Sequence, residues 1–222
     1  MIPRFFSRRV LNLFSIRQQD FFRKRRARQR AAELRRAAEL MEDRTLLATI
    51  TWDGGAGSFN WNDTDNWDTD SIPTALDDVV LGDLANPVIV NGAASVNSIT
   101  SLESLTLTSG TLTVGNTASV DGNVLLNGGA IQGGTWTVTS GNFSASSSSA
   151  NRLTDVTVNG DLLLSASTSQ LKIYGSTTWD TATLSGTGSD LRFGAGTTVG
   201  GDVDFASNVK DRKSTRLNSS HL

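Results

Sequence analysis

The chain has no cysteine and a single histidine, His221, in 222 residues. Without cysteine there is no disulfide scaffold, no thiol nucleophile and no Cys-ligated zinc. With the only histidine next to the last residue, residues 1–220 hold neither a Ser-His-Asp triad nor a histidine-bound metal. No apolar run approaches the ~18 residues of a membrane-spanning helix. Hydrophobic residues make up only 37% of the chain, while Gly, Ser, Thr, Asn and Asp are abundant. That balance argues against a Leu/Ala-rich helical bundle.

The net charge of -2 is a sum of unlike parts. Residues 1–44 carry 13 basic and five acidic side chains, a balance of +8. Residues 45–210 carry four basic ones (Arg152, Lys172, Arg192, Lys210) against 16 acidic ones, a balance of -12. Residues 211–222 return to +2. Such asymmetry separates a basic leader from an acidic body.

Residues 20–44 read as a helix of Ala, Leu, Arg and Glu without Gly or Pro. Ala31, Leu34, Ala38 and Met41 give it a narrow apolar stripe. The basic run 23–30 has the charge to meet an anionic membrane face during export, or nucleic acid phosphates. A solvated or disordered leader without a partner ranks after export and before nucleic acid. The body offers no extended basic face to continue a nucleic-acid footprint, so no specific nucleic acid is expected. Ser7-Arg8-Arg9-Val10-Leu11-Asn12 resembles a twin-arginine export signal, but the apolar stretch after it meets Arg17 before reaching the length of a secretory core.

From Thr49 the grammar changes to period-2 alternation: Leu105-Thr-Leu-Thr, Thr111-Leu-Thr-Val, Thr135-Trp-Thr-Val and Asp155-Val-Thr-Val. Turns at Asp121-Gly122, Asn127-Gly128 and Asn159-Gly160 separate the segments. Strands recur about every 8–12 residues with no helical period between them, as in all-β architectures. Val120-Asp-Gly-Asn-Val-Leu-Leu126, Val158-Asn-Gly-Asp-Leu-Leu-Leu164 and Val199-Gly-Gly-Asp-Val-Asp-Phe205 share one pattern at nearly even spacing. Trp136 and Trp179 fall between successive copies. A period near 40 fits two coils of a β-solenoid of ~20 residues each, stacked so that coils share one core. The expected fold is therefore an all-β, right-handed parallel β-helix, with a β-sandwich as the alternative.

The expected organisation is a basic leader over 1–48, a Trp/Asp-rich opening and N-terminal cap over 49–92, solenoid coils over 93–210 and a separate tail over 211–222. Trp52, Trp61 and Trp67 supply large apolar cover for an exposed solenoid end. The same rings could instead stack on sugars. Residues 62–70 pack oxygen ligands densely, with Asp63, Asp65, Asp68 and Asp70 as calcium candidates. The run lacks the Gly and Glu that an EF-hand loop needs at its sixth and twelfth positions, so a solvated acidic loop is the simpler reading and no cofactor is expected. Asp77-Asp78 precedes a strand, where neighbours face opposite ways. One Asp is expected to close the turn after Pro73 and the other to be solvated. Residues 144–150 read as a loop protruding from one coil. No catalytic residue emerges, since carboxylate chemistry needs two acids across a sugar bond.

Three resemblances add to this, the first two bearing on the protein's role. Met41-Glu42-Asp43-Arg44-Thr45-Leu46-Leu47 resembles the Leu-Glu-Pro-Arg-x-Leu-Leu sorting motif of large planctomycete surface and secreted proteins. Glu42, Arg44, Leu46 and Leu47 match; Met41 stands for Leu and Asp43 for Pro. The order Trp52-Asp-Gly-Gly, Trp61, Asn66-Trp67, Pro73, Asp77-Asp-Val is similar to the opening segment of autotransporter-like parallel β-helix proteins. These resemblances imply export to the envelope or outside the cell, contact with sorting machinery, and a structural or adhesion role near envelope or extracellular polysaccharide. The alternative is a carbohydrate-binding or polysaccharide-degrading β-helix protein with its active site further along the gene. Finally, Asp211-Arg-Lys-Ser-Thr-Arg-Leu-Asn-Ser-Ser-His221 resembles the in-frame translation of a widely used sequencing adapter. On that resemblance 211–222 is expected to be an artefact, and the gene to continue past Lys210.

Overall fold

The computed structural model describes residues 48–84 and 86–205. The leader helix over 20–44, the motif from Met41 to Leu47 and the tail over 211–222 lie outside the described residues.

Alternation of apolar and polar residues forces each short segment to be a strand with one buried side, and the strands stack as a parallel β-solenoid of about six coils. Each coil visits three faces in turn. The first face holds Asp78–Leu81, Ser98–Ser101, Thr117–Val120, Thr135–Val138 and Thr157–Asn159. The second holds Val88–Val90, Leu105–Leu107, Val124–Leu126, Phe143–Ala145 and Leu162–Leu164. The third holds Ala94–Val96, Thr111–Val114, Ala130–Gln132, Arg152–Thr154, Gln170–Tyr174 and Asp190–Phe193. The long strands Ser176–Leu184 and Thr198–Phe205 run round the corner and belong to the first two faces at once.

Every ladder between named strands is parallel, which excludes the β-sandwich, an antiparallel architecture. The shortest step between register partners runs from Val88 to Leu105, and one of the longest from Ile131 to Leu153. Coils therefore run to about 20 residues, so the sequence repeat spans two of them. Its three copies form alternate corners between the first and second faces. The coils between them break the pattern: one inserts a residue between Val138 and Phe143, and another carries Thr178-Trp179-Asp180 where the copies have glycine, with a register shift beside it.

Inward residues align in columns. Val79, Ile99, Ala118, Trp136 and Val158 run down the first face. Val88, Leu105, Val124, Phe143 and Leu162 run down the second. All are buried. Each fully buried Val, Leu or Ile contributes about 1.5–3 kcal/mol, so three faces per coil give every added coil its own stabilisation.

Corners must be narrow for coils to stack at strand spacing. Gly141 sits directly on the Gly122 carbonyl, where a Cβ would collide with backbone. The turn at 146–150 is fastened from within by Asn151, which is fully buried. Its Nδ2 donates to the Ser146 and Gln170 carbonyls (3.0 and 3.1 Å), and its Oδ1 accepts from the Gly128 N–H at 2.6 Å. Ser144 and Ala145 belong to a strand, so the expected protruding loop is a turn pinned to the coils on either side.

Candidate functional site

The three tryptophans of the opening segment gather at one end of the solenoid. Thr49–Thr51 pairs in parallel with the first coil, and Trp52 and Trp67 form an antiparallel bridge. Trp67 packs edge-on against Trp52 (5.0 Å between ring centroids) and against Trp61 (4.8 Å). Its indole N–H donates to the Trp61 carbonyl at 2.9 Å. Trp61 and Trp67 are wholly buried and Trp52 is 5% exposed. The rings share one core cluster with the first coil, and almost none of their surface is exposed.

The acidic loop does not converge. Asp63 accepts from the Ser58 hydroxyl (2.9 Å), Asp65 from Thr64 (3.1 Å) and Asp68 from the Thr51 N–H (3.1 Å). Asp70 adopts a left-handed backbone at φ 50. Among the described residues no three His, Cys, Asp or Glu side chains gather as a metal site.

Asp77 closes the turn after Pro73, accepting from the Thr74 N–H and hydroxyl, each at 2.7 Å. Asp78 reaches the next coil instead. The Ser98 hydroxyl and then the Asn97 amide (2.7 Å) donate to it and hold its carboxyl below the usual range. Asp121 repeats the device two coils on: Ser140 and then Thr139 donate to it and lower its pKa. Acids thus gather at the corner between the first and second faces, at Asp83, Glu103, Asp121, Asp161, Asp180 and Asp202. Several bind coil to coil, as Glu103 does through the Leu84 N–H (3.2 Å) and Asp161 through the Thr181 N–H (3.1 Å).

The third face has a different chemistry. Among the described residues the basic side chains are Arg152, Lys172 and Arg192, and register places all three in one outward lane. Leu153, Leu171 and Ile173 alternate with them and point inward. Neighbouring strands are ~4.8 Å apart, so three cations stand in single file along the solenoid axis. In register the lane leads on to Ala130, which is buried, and then to Thr111. Beside it runs a second outward lane of Ser95, Thr113, Gln132, Thr154 and Tyr174. Tyr174 is 37% exposed, with the Arg152 guanidinium carbon 6.0 Å from its ring centre. Ser95, Thr111, Thr113 and Gln132 line a shallow trough of about 320 Å³ further along the same face. Asp190 is the one acid in these strands, and its carboxylate accepts from Arg192 Nε at 2.6 Å.

In the sequence these basic residues stand out only as a sparse count. A signal was nevertheless present, because Arg152, Lys172 and Arg192 recur at a constant interval of one coil. No family model, curated protein or solved structure matches the chain.

Proposed function

We propose that this chain belongs to an exported or cell-surface protein and works as a structural scaffold of adhesion type. The observation that carries the reading is the solenoid's outer surface: short Thr, Ser, Asn and Asp side chains bonded from coil to coil, as at Asp78–Asn97 and Asp121–Thr139. Such a surface is rigid, hydrophilic and extendable coil by coil, which suits a spacer or display module. The leader's resemblance to a planctomycete-type sorting motif supports export, with the sorting machinery as the leader's partner. No chemistry is assigned to the described residues. Asp78, Glu103, Asp121, Asp155 and Asp161 accept hydrogen bonds from a neighbouring coil, and the described residues lack histidine and cysteine.

Antibody raised against the solenoid should label intact producing cells, and external protease should remove the label. Labelling only after permeabilisation would overturn the reading. A reporter fused to residues 1–50 separates the leader's part: export of the reporter supports sorting, and a purely cytoplasmic reporter counts against it.

A further inference from the structure

We propose that the third face is a binding surface for a linear acidic polysaccharide, laid along the solenoid axis over the Arg152–Lys172–Arg192 lane. This ligand class deepens the scaffold reading and rests on it only for its biological setting. Binding is measured in solution and localisation on cells, so either can fail alone.

Three observations carry it. The body is acidic, with 16 acids against four bases over 45–210, yet the described bases all occupy one lane in strict register. Chance scatter over three faces would not align them. Their repeat is the strand spacing of ~4.8 Å, fixed by backbone ladders and matching the advance per sugar of an extended chain. Side chains mounted on such ladders hold a repeating array of anions with little reorganisation. The flanking lane supplies what a sugar chain also needs: hydroxyl and amide groups at Ser95, Thr113, Gln132 and Thr154, and the exposed ring of Tyr174. The trough beside Gln132 extends this lining past the charged end.

Nucleic acid fits less well. A lane of three cations neutralises little of a duplex's two-stranded phosphate charge. Asp190 offsets one charge of the lane at the Arg192 end, which leaves Arg152 and Lys172 as the stronger anchors.

The test uses the full chain with polygalacturonate, dextran sulfate, neutral dextran and duplex DNA as probes. Polygalacturonate and dextran sulfate distinguish carboxylate from sulfate as the anion. Binding to at least one of them, weakening with added salt, is expected; neutral dextran should not bind. Exposed ion pairs are each worth up to about a fivefold change, so Arg152→Gln, Lys172→Gln and Arg192→Gln together should weaken binding about tenfold or more. Removing three leader cations instead (Arg25→Gln, Arg26→Gln, Arg28→Gln) should weaken it much less. Asp190→Asn should tighten it by about twofold, since it frees Arg192. Thermal melts verify folding of each variant. Unchanged binding in the triple lane variant, loss caused mainly by the leader variant, or lane-dependent binding of DNA in preference to both polysaccharides would each overturn the proposal.

Discussion

The first and last described coils of the solenoid are similar in build but differ in exposure. At the first coil, Val79, Leu81, Val88 and Val90 share one core cluster with the three indoles of the opening segment, and every one of these residues is buried. At the last, Phe193 is 42% exposed, Val199 44% and Phe205 47%, though each occupies the place of a buried residue in the coil before it. Phe193 aligns with the buried Ile173, and Phe205 with the buried Leu184. The contrast shows that inward residues of a coil become core only when something lies upon them. In a solenoid, burial is a property of neighbouring coils.

The largest break in this comparison comes from the lid. Trp67→Ala should cost about 3–5 kcal/mol in denaturant unfolding, because it empties the centre of the indole cluster. Phe205→Ala, in the last described coil, should cost less than about 1 kcal/mol by the same measurement, because half of the side chain already meets solvent. Equal losses would remove the distinction between the ends.

Asn151→Ala comes next, at about 1–3 kcal/mol, since it strips partners from Gly128, Ser146 and Gln170 inside the stack. Gly141→Ala should cost roughly 1 kcal/mol or more in thermal unfolding, because the new methyl meets the Gly122 carbonyl. Gly82→Ala, with open space around its position, is the control and should change little.

The smallest effect is in pH dependence. Asp78 and Asp121 have lowered pKa values in the fold because neighbouring hydroxyl and amide groups donate to their charged forms. A depressed carboxylate stabilises the fold above the ordinary Asp value of ~3.9, and that contribution is lost as pH falls through the lowered native value. Melting temperature should therefore fall on acidification below about pH 4, and less steeply in Asp78→Asn than in the wild type. An identical acid slope in both would show that Asp78 is not a contributor.

Much of the solenoid was legible because its physics is local. Alternation in Thr111-Leu-Thr-Val or Leu105-Thr-Leu fixes strands, and the Val-x-Gly corners fix where coils turn. The capping reading of Trp52, Trp61 and Trp67 follows from size alone, and their mutual packing bears on the sugar-stacking alternative in a way that no sequence pattern could. Less visible were features that depend on register. Asn151 is an ordinary polar residue until Gly128 from one coil and Gln170 from the next are brought alongside. Asp78, the one of the Asp77-Asp78 pair that does not close the turn, joins Asn97 and Ser98 across coils for the same reason. The lane of Arg152, Lys172 and Arg192 needed both a coil length and the knowledge that these coils stay in phase, and insertions such as the one before Phe143 conceal that phase from repeat spacing.

Backbone hydrogen exchange along the chain tests the central claim most directly. Strong protection is expected over 98–184, protection nearly as strong at 78–90 beneath the indoles, and the fastest exchange at 190–205. In Trp67→Ala, protection at 78–90 should drop to the level of 190–205 while the middle coils keep theirs. Equal protection at both ends of the wild-type protein, or a first coil indifferent to Trp67, would contradict it.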